Sequence, residues 1–390
     1  MGVCALCGWS STLVSRSVSV CYRCLVRGGD RALSVASRAR KEWRVRVGLP
    51  PEPPRDHGGV KCRICVNECT IGNGRLGFCG VWTSRGGFLV PAAGRGKLNM
   101  YSYLDPLPTN CVAAPVCPAA TARGYPVYTR TRGPEIGCYN LAVFMAGCSL
   151  DCYFCQNIDH KYMVSPGKRV LRGEVASVES LLERTLSEDS VTCVCFFGGD
   201  PTPHAPMLLG YSLKLLMAAR SRGSIKRVCW ETNGLLSPNL MRVAGRVSLE
   251  SGGIVKIDWK AWTPSVYQAL TGVDGEKAID RIKENVKLLA KMARERDEPP
   301  LLVVSVLLVP GYVGSREVEG IARFLSSFEA NIPMVLLAFY PQHLMWDLPT
   351  TSYDHMMRAR RAAEESGIRE VYIGNPWLLK RGYLAEEFES

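Results

Sequence analysis

Three cysteines stand close together in the run Cys148-Ser-Leu-Asp-Cys152-Tyr-Phe-Cys155. A cubane iron–sulfur cluster has four irons, and complete protein ligation of it takes four thiolates. Three thiolates leave one iron free for a substrate or cofactor, which is how catalytic metal sites differ from closed structural ones. The competing reading is a zinc site, or a cluster closed by a distant cysteine. Three polar runs further along argue against it: Gly198-Gly199-Asp200-Pro201, Glu231-Thr232-Asn233-Gly234 and Asp258-Trp259-Lys260. Each follows an apolar stretch, and each alone would be an ordinary strand-to-helix turn. Taken together they offer glycines for close backbone approach, an acceptor for an ammonium group, and polar side chains at successive strand ends.

The other cysteines sort by spacing. Seventeen in a chain with no recognisable export signal point to metal ligation rather than disulfides. Cys4-x2-Cys7-x13-Cys21-x2-Cys24 has the pattern of a four-cysteine zinc ribbon, in a segment with almost no core of its own. An iron site of the same four ligands is the alternative. Cys62, Cys65, Cys69 and Cys79 form a second closed set of four; zinc or an auxiliary 4Fe–4S cluster fits, with zinc slightly preferred. Cys111 and Cys117 either join a cluster on that side or are buried free thiols. Cys193, Cys195 and Cys229 lie inside apolar runs and read as small core residues. Gly72-Asn-Gly74-Arg-Leu-Gly77 satisfies the dinucleotide fingerprint GxGxxG, but it falls between Cys69 and Cys79 rather than between a strand and a helix, so no dinucleotide is expected. The five histidines show no ligand spacing; His204, just behind the second glycine pair, is expected to pack rather than to bind.

These residues must be positioned by a fold. From Tyr139 onward short apolar runs alternate with helical patterns, which predicts βα units around a parallel sheet. The strands expected are 141–146, 192–197, 227–231, 254–258, 301–309 and 333–339, with a short last one at 370–373. Helices are expected at 178–187, 207–220, 280–291, 317–327 and 353–366. Six such units describe an α/β chain with a partial, TIM-like (β/α)6 barrel; a doubly wound open sheet is the alternative. Ahead of it the sequence divides into 1–48, a zinc-ribbon-like module with a basic helix over 30–47; 49–59, a Pro/Gly linker; and 60–137, a second cysteine-rich metal-binding segment. The barrel occupies 138–376 and a tail 377–390.

Composition narrows the class. With 47% hydrophobic and 22% charged residues over 390 positions, the chain is that of a globular protein large enough for several domains. No run of about 18 uncharged apolar residues is present, so no membrane span or membrane partner is expected, and a cytoplasmic location is. The net charge of +12 favours anionic partners, nucleic acid first, although the basic residues are scattered and equally suit a solvated surface.

The motifs carry a family resemblance. CSLDCYFC, with Phe154 before the third cysteine, matches the CxxxCxxC signature of the radical S-adenosylmethionine (SAM) superfamily. Together with GGDP, WETNG and IDWKA it resembles the pyruvate formate-lyase-activating enzymes and other activators of glycyl-radical enzymes. The wider chain, roughly 60–376, resembles the AmmeMemoRadiSam-type proteins. CRICVNECTIGNGRLGFCGVWTSRGG, LTGVDGEKAIDRIKENVKLL, LVPGYVGS, FYPQHLMWDLPTT and VYIGN follow one another in that group's order. Two departures stand out: GGDP replaces an Asn-containing sequence common in that group, and DPLPTNCVAAPVCPA introduces Cys111 and Cys117.

The resemblance implies a 4Fe–4S cluster on Cys148, Cys152 and Cys155, with SAM on the fourth iron through its amino and carboxylate groups. It places Phe154 near the adenine and Gly198, Gly199 and Asp200 at the methionine amino group. Glu231, Asn233, Asp258 and Lys260 are candidates for the ribose and carboxylate ends. The implied activity is reductive cleavage of SAM to a 5′-deoxyadenosyl radical that abstracts hydrogen. The electron would come from a donor such as ferredoxin or flavodoxin. The substrate classes are a protein backbone, as in glycyl-radical activation, an RNA, or a small molecule. A reading from another class, a non-catalytic metal-stabilised docking scaffold, requires a broken triad or a lost SAM pocket, and both are intact in the sequence.

Overall fold

The computed structural model describes residues 1–109, 111–166 and 174–389. Asn110, inside the DPLPTNCVAAPVCPA stretch, and Ser390, the end of the tail, lie outside them. The centre of the fold is one nine-stranded sheet: β1 (Lys97–Pro106), β2 (Tyr139–Met145), β3 (Glu174–Ser177), β4 (Val191–Gly198), β5 (Arg227–Thr232), β6 (Val255–Asp258), β7 (Leu302–Leu308), β8 (Met334–Ala338) and β9 (Val371–Gly374). Its order is β9-β8-β7-β6-β5-β4-β2-β1-β3. The seven strands from β2 to β9, β3 excepted, pair in parallel, and β1 runs antiparallel to both β2 and β3. The parallel strands are near-continuous apolar runs because both their faces are covered; Leu302–Leu308 is buried at every position but one. The α/β class and partial barrel expected from the sequence are the architecture observed.

Helices cross between the parallel strands: α1 (Gly29–Arg46) precedes the sheet, then α2 (Val178–Ser187), α3 (Ala205–Ser221), α4 (Pro238–Ser251), α5 (Pro264–Thr271), α6 (Gly275–Ala293), α7 (Ser315–Ser326) and α8 (Tyr353–Glu365). Local chemistry starts them. Ser177, Asp274 and Ser352 accept from the backbone N–H of Ser180, Lys277 and His355, and proline occupies the first turn of α4 and α5.

Two features of the sheet differ from expectation. β1 is a ten-residue strand in a segment that reads as short strands and turns. Its sequence KLNMYSYLDP alternates, burying Leu98 and Met100 while Tyr103 and Leu104 stay exposed, as an antiparallel strand near a sheet edge does. The next segment, Leu107 to Ala119, packs Leu107, Ala113, Val116, Cys117 and Ala119 against Ile254, Val303 and Val335, closing the barrel floor. The region 60–137 therefore contributes both the strand next to the sheet's edge and the floor of the barrel.

The cysteine-rich segments are small and leaning on the barrel. Gly2–Val3 pairs with Ser10–Ser11, and a short helix, Tyr22–Arg27, leads into α1. Tyr22 Oη donates to Glu317 at the start of α7 (2.9 Å), whose carboxylate also accepts from the backbone N–H of Trp262 and Thr263 (2.6 and 2.8 Å). Two further hairpins, Val60–Lys61 with Thr70–Ile71 and Trp82–Arg85 with Phe88–Pro91, frame the second cysteine set. Gly72–Gly77 forms the turns between them, with Gly72 N–H bonded to Asp56 (2.8 Å).

Candidate active site at the carboxyl ends of the strands

Every polar run singled out above falls at the carboxyl end of a parallel strand. β2 runs into Cys148–Cys155, β4 into Gly199-Asp200, β5 into Asn233-Gly234 and β6 into Trp259-Lys260. These ends surround a cavity of about 230 Å3. Cys148, Cys152, Phe154 and Cys155 form one wall; Gly198, Gly199, Glu231, Asn233, Asp258 and Lys260 face them. Burial drives all three thiols upward, to about 12 for Cys152 and Cys155. A bare thiolate is costly there, whereas a cationic metal centre would supply the missing charge.

Glycine is required at one approach. A Cβ on Gly199 would stand 2.0 Å from the carbonyl oxygen of Gly147 and 2.6 Å from the His160 ring. The chain there is pressed against the cysteine loop, and Asn157 Nδ2 ties that loop to Gly198 O (3.1 Å).

Asp200 is placed differently from the rest. Its carboxylate is buried and turned away from the cavity, accepting from Ser149 Oγ (3.0 Å), Thr232 Oγ1 (2.9 Å) and the backbone N–H of Thr202 (3.2 Å). It binds the ends of β2, β4 and β5 together. Asn233 Nδ2 donates to Ser149 Oγ (2.8 Å), so Asn233 also braces the cysteine loop.

Opposite the thiols runs a chain of alternating charge. Lys256 Nζ lies 3.1 Å from Glu231 and 2.7 Å from Asp258, and Lys260 Nζ lies 3.1 Å from the other oxygen of Asp258. Burial would raise the Asp258 carboxyl, but Lys256 and Lys260 outweigh it and hold it well below the usual carboxylate range. The same carboxylates hold the ammonium of Lys256 protonated against burial. Ser305 Oγ adds a bond to Asp258 from β7.

Lys256, Ser305 and His160 were not among the candidates. Lys256 had a signal in the sequence, a lysine inside an apolar strand two residues before Asp258. His160 had none; its Nε2 lies 3.4 Å from Cys155 Sγ, and burial keeps the ring neutral. His204 packs as expected, bonding Ala146 O at 2.9 Å.

The two upstream cysteine sets differ from each other. Among the described residues, only Cys4, Cys7, Cys21 and Cys24 bring three or more ligand atoms within 4.8 Å of one another. Cys62, Cys65, Cys69 and Cys79 are more widely spaced; burial raises the Cys65 thiol, and Cys62, Cys69 and Cys79 beside it raise it further. The second set abuts the main site: Asn67 Nδ2 donates to Ser149 O (2.6 Å), and Ile64 O accepts from Ser237 N (2.9 Å).

Residues 142–325, which hold the cysteine loop and strands β4 to β7, match the family model described as the Radical SAM superfamily. Over 324 residues, 82% of each chain, the protein is 22% identical to an uncharacterized protein of Methanocaldococcus jannaschii. Among solved structures it is similar to Streptococcus suis SuiB bound to S-adenosylmethionine, at 14% identity and a TM-score of 0.39, over 59% of this chain and 49% of that one. The chain thus spans about half the length of SuiB. It is also similar to a domain of pyruvate-formate lyase-activating enzyme from Bacteroides vulgatus, at 19% identity and a TM-score of 0.35, over 47% of this chain and 98% of that one. Among the described residues no helix is long and apolar enough to cross a membrane.

Proposed function

We propose that the protein cleaves SAM reductively and directs the resulting radical at a C–H bond of a substrate. One observation carries this reading: the three thiols of Cys148, Cys152 and Cys155 face, across a cavity of about 230 Å3, the charged chain Glu231–Lys256–Asp258–Lys260. The thiols suit three irons of a 4Fe–4S cluster, and the cluster with SAM would supply one-electron cleavage to methionine and a 5′-deoxyadenosyl radical.

The chain's own residues then have these roles. Gly198 and Gly199 let the backbone approach the methionine end of SAM. Lys260, on the thiol side of Asp258, offers a cation to a carboxylate, and Glu231 and Asn233 offer hydrogen-bond partners to the amino or ribose groups. Phe154 closes the adenine side. Asp200 acts as a positioning residue through Ser149 and Thr232. The buried walls exclude water from the reacting centre.

The first substrate we propose is a polypeptide, with RNA and small molecules as competing classes, and ferredoxin or flavodoxin as electron donor in the cytoplasm. At Cys4, Cys7, Cys21 and Cys24 we propose zinc, because thiolates on an ion with metal–sulfur bonds of about 2.3 Å stand roughly 3.8 Å apart, and Cys7 and Cys21 Sγ are 3.8 Å apart. The wider set at Cys62, Cys65, Cys69 and Cys79 suits an auxiliary iron–sulfur cluster better than a zinc ion.

The test is anaerobic reconstitution with iron and sulfide, then addition of reductant and SAM, with 5′-deoxyadenosine and methionine as readouts. Both should form in wild type and disappear in Cys152→Ala. No product, or product undiminished in the variant, sinks the reading. Adding candidate peptides, RNA or metabolites and following consumption of 5′-deoxyadenosyl equivalents separates the substrate classes.

A further inference from the structure

Eleven of the seventeen cysteines belong to the three sets described above, and five of the other six line one chamber. This chamber, of about 140 Å3, lies inside the barrel between the main cavity and the floor, and the two share Val112, Phe197, Glu231 and Lys256 as walls. Cys193 and Cys195 alternate inward on β4, and Cys229 does so on the neighbouring β5, where it pairs in register with Cys195. Cys111 and Cys117 enter from the floor segment. That placement separates them from the set at Cys62–Cys79.

Small core residues would have packed this space closed. Protein interiors rarely leave voids larger than a water molecule, yet five thiols here surround one. Their distances also say what would fit. Cys193 and Cys229 Sγ are 3.8 Å apart, the separation of two thiolates on one tetrahedral metal, while Cys111 and Cys195 lie beside Glu231, a wall shared with the main cavity, at 3.5 and 3.8 Å from its Oε1. Among the described residues no third ligand atom comes within 4.8 Å of that pair and of each other, so the arrangement suits more than one metal ion. The ammonium of Lys256 borders the chamber and offsets thiolate charge.

We propose that this chamber holds a [2Fe–2S] cluster, with Cys193 and Cys229 on one iron and two of Cys111, Cys117 and Cys195 on the other. The cluster would sit next to the main cavity, across the shared walls Val112, Phe197, Glu231 and Lys256. It is independent of SAM cleavage, so its test reads metal and spectrum rather than turnover.

The full-length chain, purified anaerobically and reconstituted, is compared with Cys193→Ser/Cys229→Ser for iron, acid-labile sulfide, zinc and the electron paramagnetic resonance of the reduced protein. The expected result is loss of about two irons and two sulfides per chain and of one signal, with zinc unchanged. Unchanged iron and sulfide, loss of zinc without sulfide, or loss of any other complement overturns the proposal. Should the double variant fail to fold, Cys117→Ser and Cys111→Ser replace one sulfur by oxygen at the floor. At least one should shift the resonance of the chamber cluster, and two unchanged spectra overturn it equally.

Discussion

Arg44 Nη1 lies 3.2 Å from Asp151 Oδ2, and both side chains are sealed from solvent. Asp151 sits between Cys148 and Cys152, whereas Arg44 belongs to α1. The guanidinium also donates to Phe78 O (2.6 Å), beside Cys79, and lies over the Phe78 ring. Lys161 Nζ completes the site 3.5 Å from the other carboxylate oxygen. One ion network thus joins α1, the segment beside Cys79 and the cysteine loop at 148–155.

Arg44→Met is expected to destabilise the protein by about 3–5 kcal/mol, because it removes one of the two ion-pair partners of a buried carboxylate and leaves Lys161 alone to hold it. Thermal unfolding should show the loss, and the reconstituted variant should hold less iron. A melting temperature equal to wild type would mean that Asp151 finds another partner.

Asp258 holds two lysines at once, so Asp258→Asn should disorganise the wall facing the thiols. SAM cleavage is expected to fall by about tenfold or more, equivalent to at least about 1.4 kcal/mol, with the concentration of SAM needed for half-maximal rate raised. The two lysines keep Asp258 ionised far below neutrality, so the ratio of wild-type to variant rate should not change between pH 6 and pH 9, a range chosen to lie above the ordinary carboxyl value of about 3.9. A ratio that drifts with pH in that range would show that another group carries the effect.

What could be read before folding follows physical range. The parallel strands were legible because burial on both faces demands unbroken apolar runs, as in LLVVSVLLV. The triad was legible because its spacing lies within one loop. Asp200 was legible as a strand-end residue but not as a brace, since Ser149 and Thr232 approach it only when three strand ends converge. The Arg44–Asp151 pair spans more than a hundred positions, and nothing local marks either partner. Cys193, Cys195 and Cys229 looked like core filling because alternation shows that they share a face but not that the face borders a void. The helix Pro238–Ser251 went unmarked, its apolar stripe interrupted by Gly245, which packs against Leu289 and Met292.

Glu135 and Arg227 give a pH test on the barrel floor. Both are fully buried with 2.5 Å between Oε2 and Nη2, and Glu135 also accepts from Thr192 Oγ1 (2.6 Å), Thr129 Oγ1 (2.8 Å) and Arg130 N (2.8 Å). Burial raises the carboxyl, but Arg227 and these donors bring it down to about 2. A depressed pKa contributes stability above the unfolded value of about 4.3 and loses it as pH falls through the folded one. Glu135→Gln should therefore unfold at lower temperature than wild type by a constant margin above pH 5, equivalent to about 3 kcal/mol. The margin should narrow as pH approaches 2. A margin independent of pH down to that point would remove the ion pair as its cause.

The N-terminal cysteines make the last test. Burial raises Cys4, but backbone N–H groups of Cys21, Cys7 and Leu6 outweigh it and bring the thiol down to about 6, so the site has a ready thiolate for a metal. The module has little core of its own, and it grips the barrel through Tyr22–Glu317 and through Tyr312 Oη, which donates to Val20 O (3.1 Å) and accepts from Ser15 N (3.0 Å). Cys7→Ser should remove the zinc proposed at this site, leave the iron and sulfide content as purified unchanged, and lower the melting temperature, because metal binding to a module of this kind is folding energy. Since α1 carries Arg44, the loosened module should also release the cysteine loop, so the variant should lose iron faster than wild type when challenged with a chelator. Zinc retained in the variant, or iron loss at the wild-type rate, would show that the first module and the cysteine loop at 148–155 are not coupled.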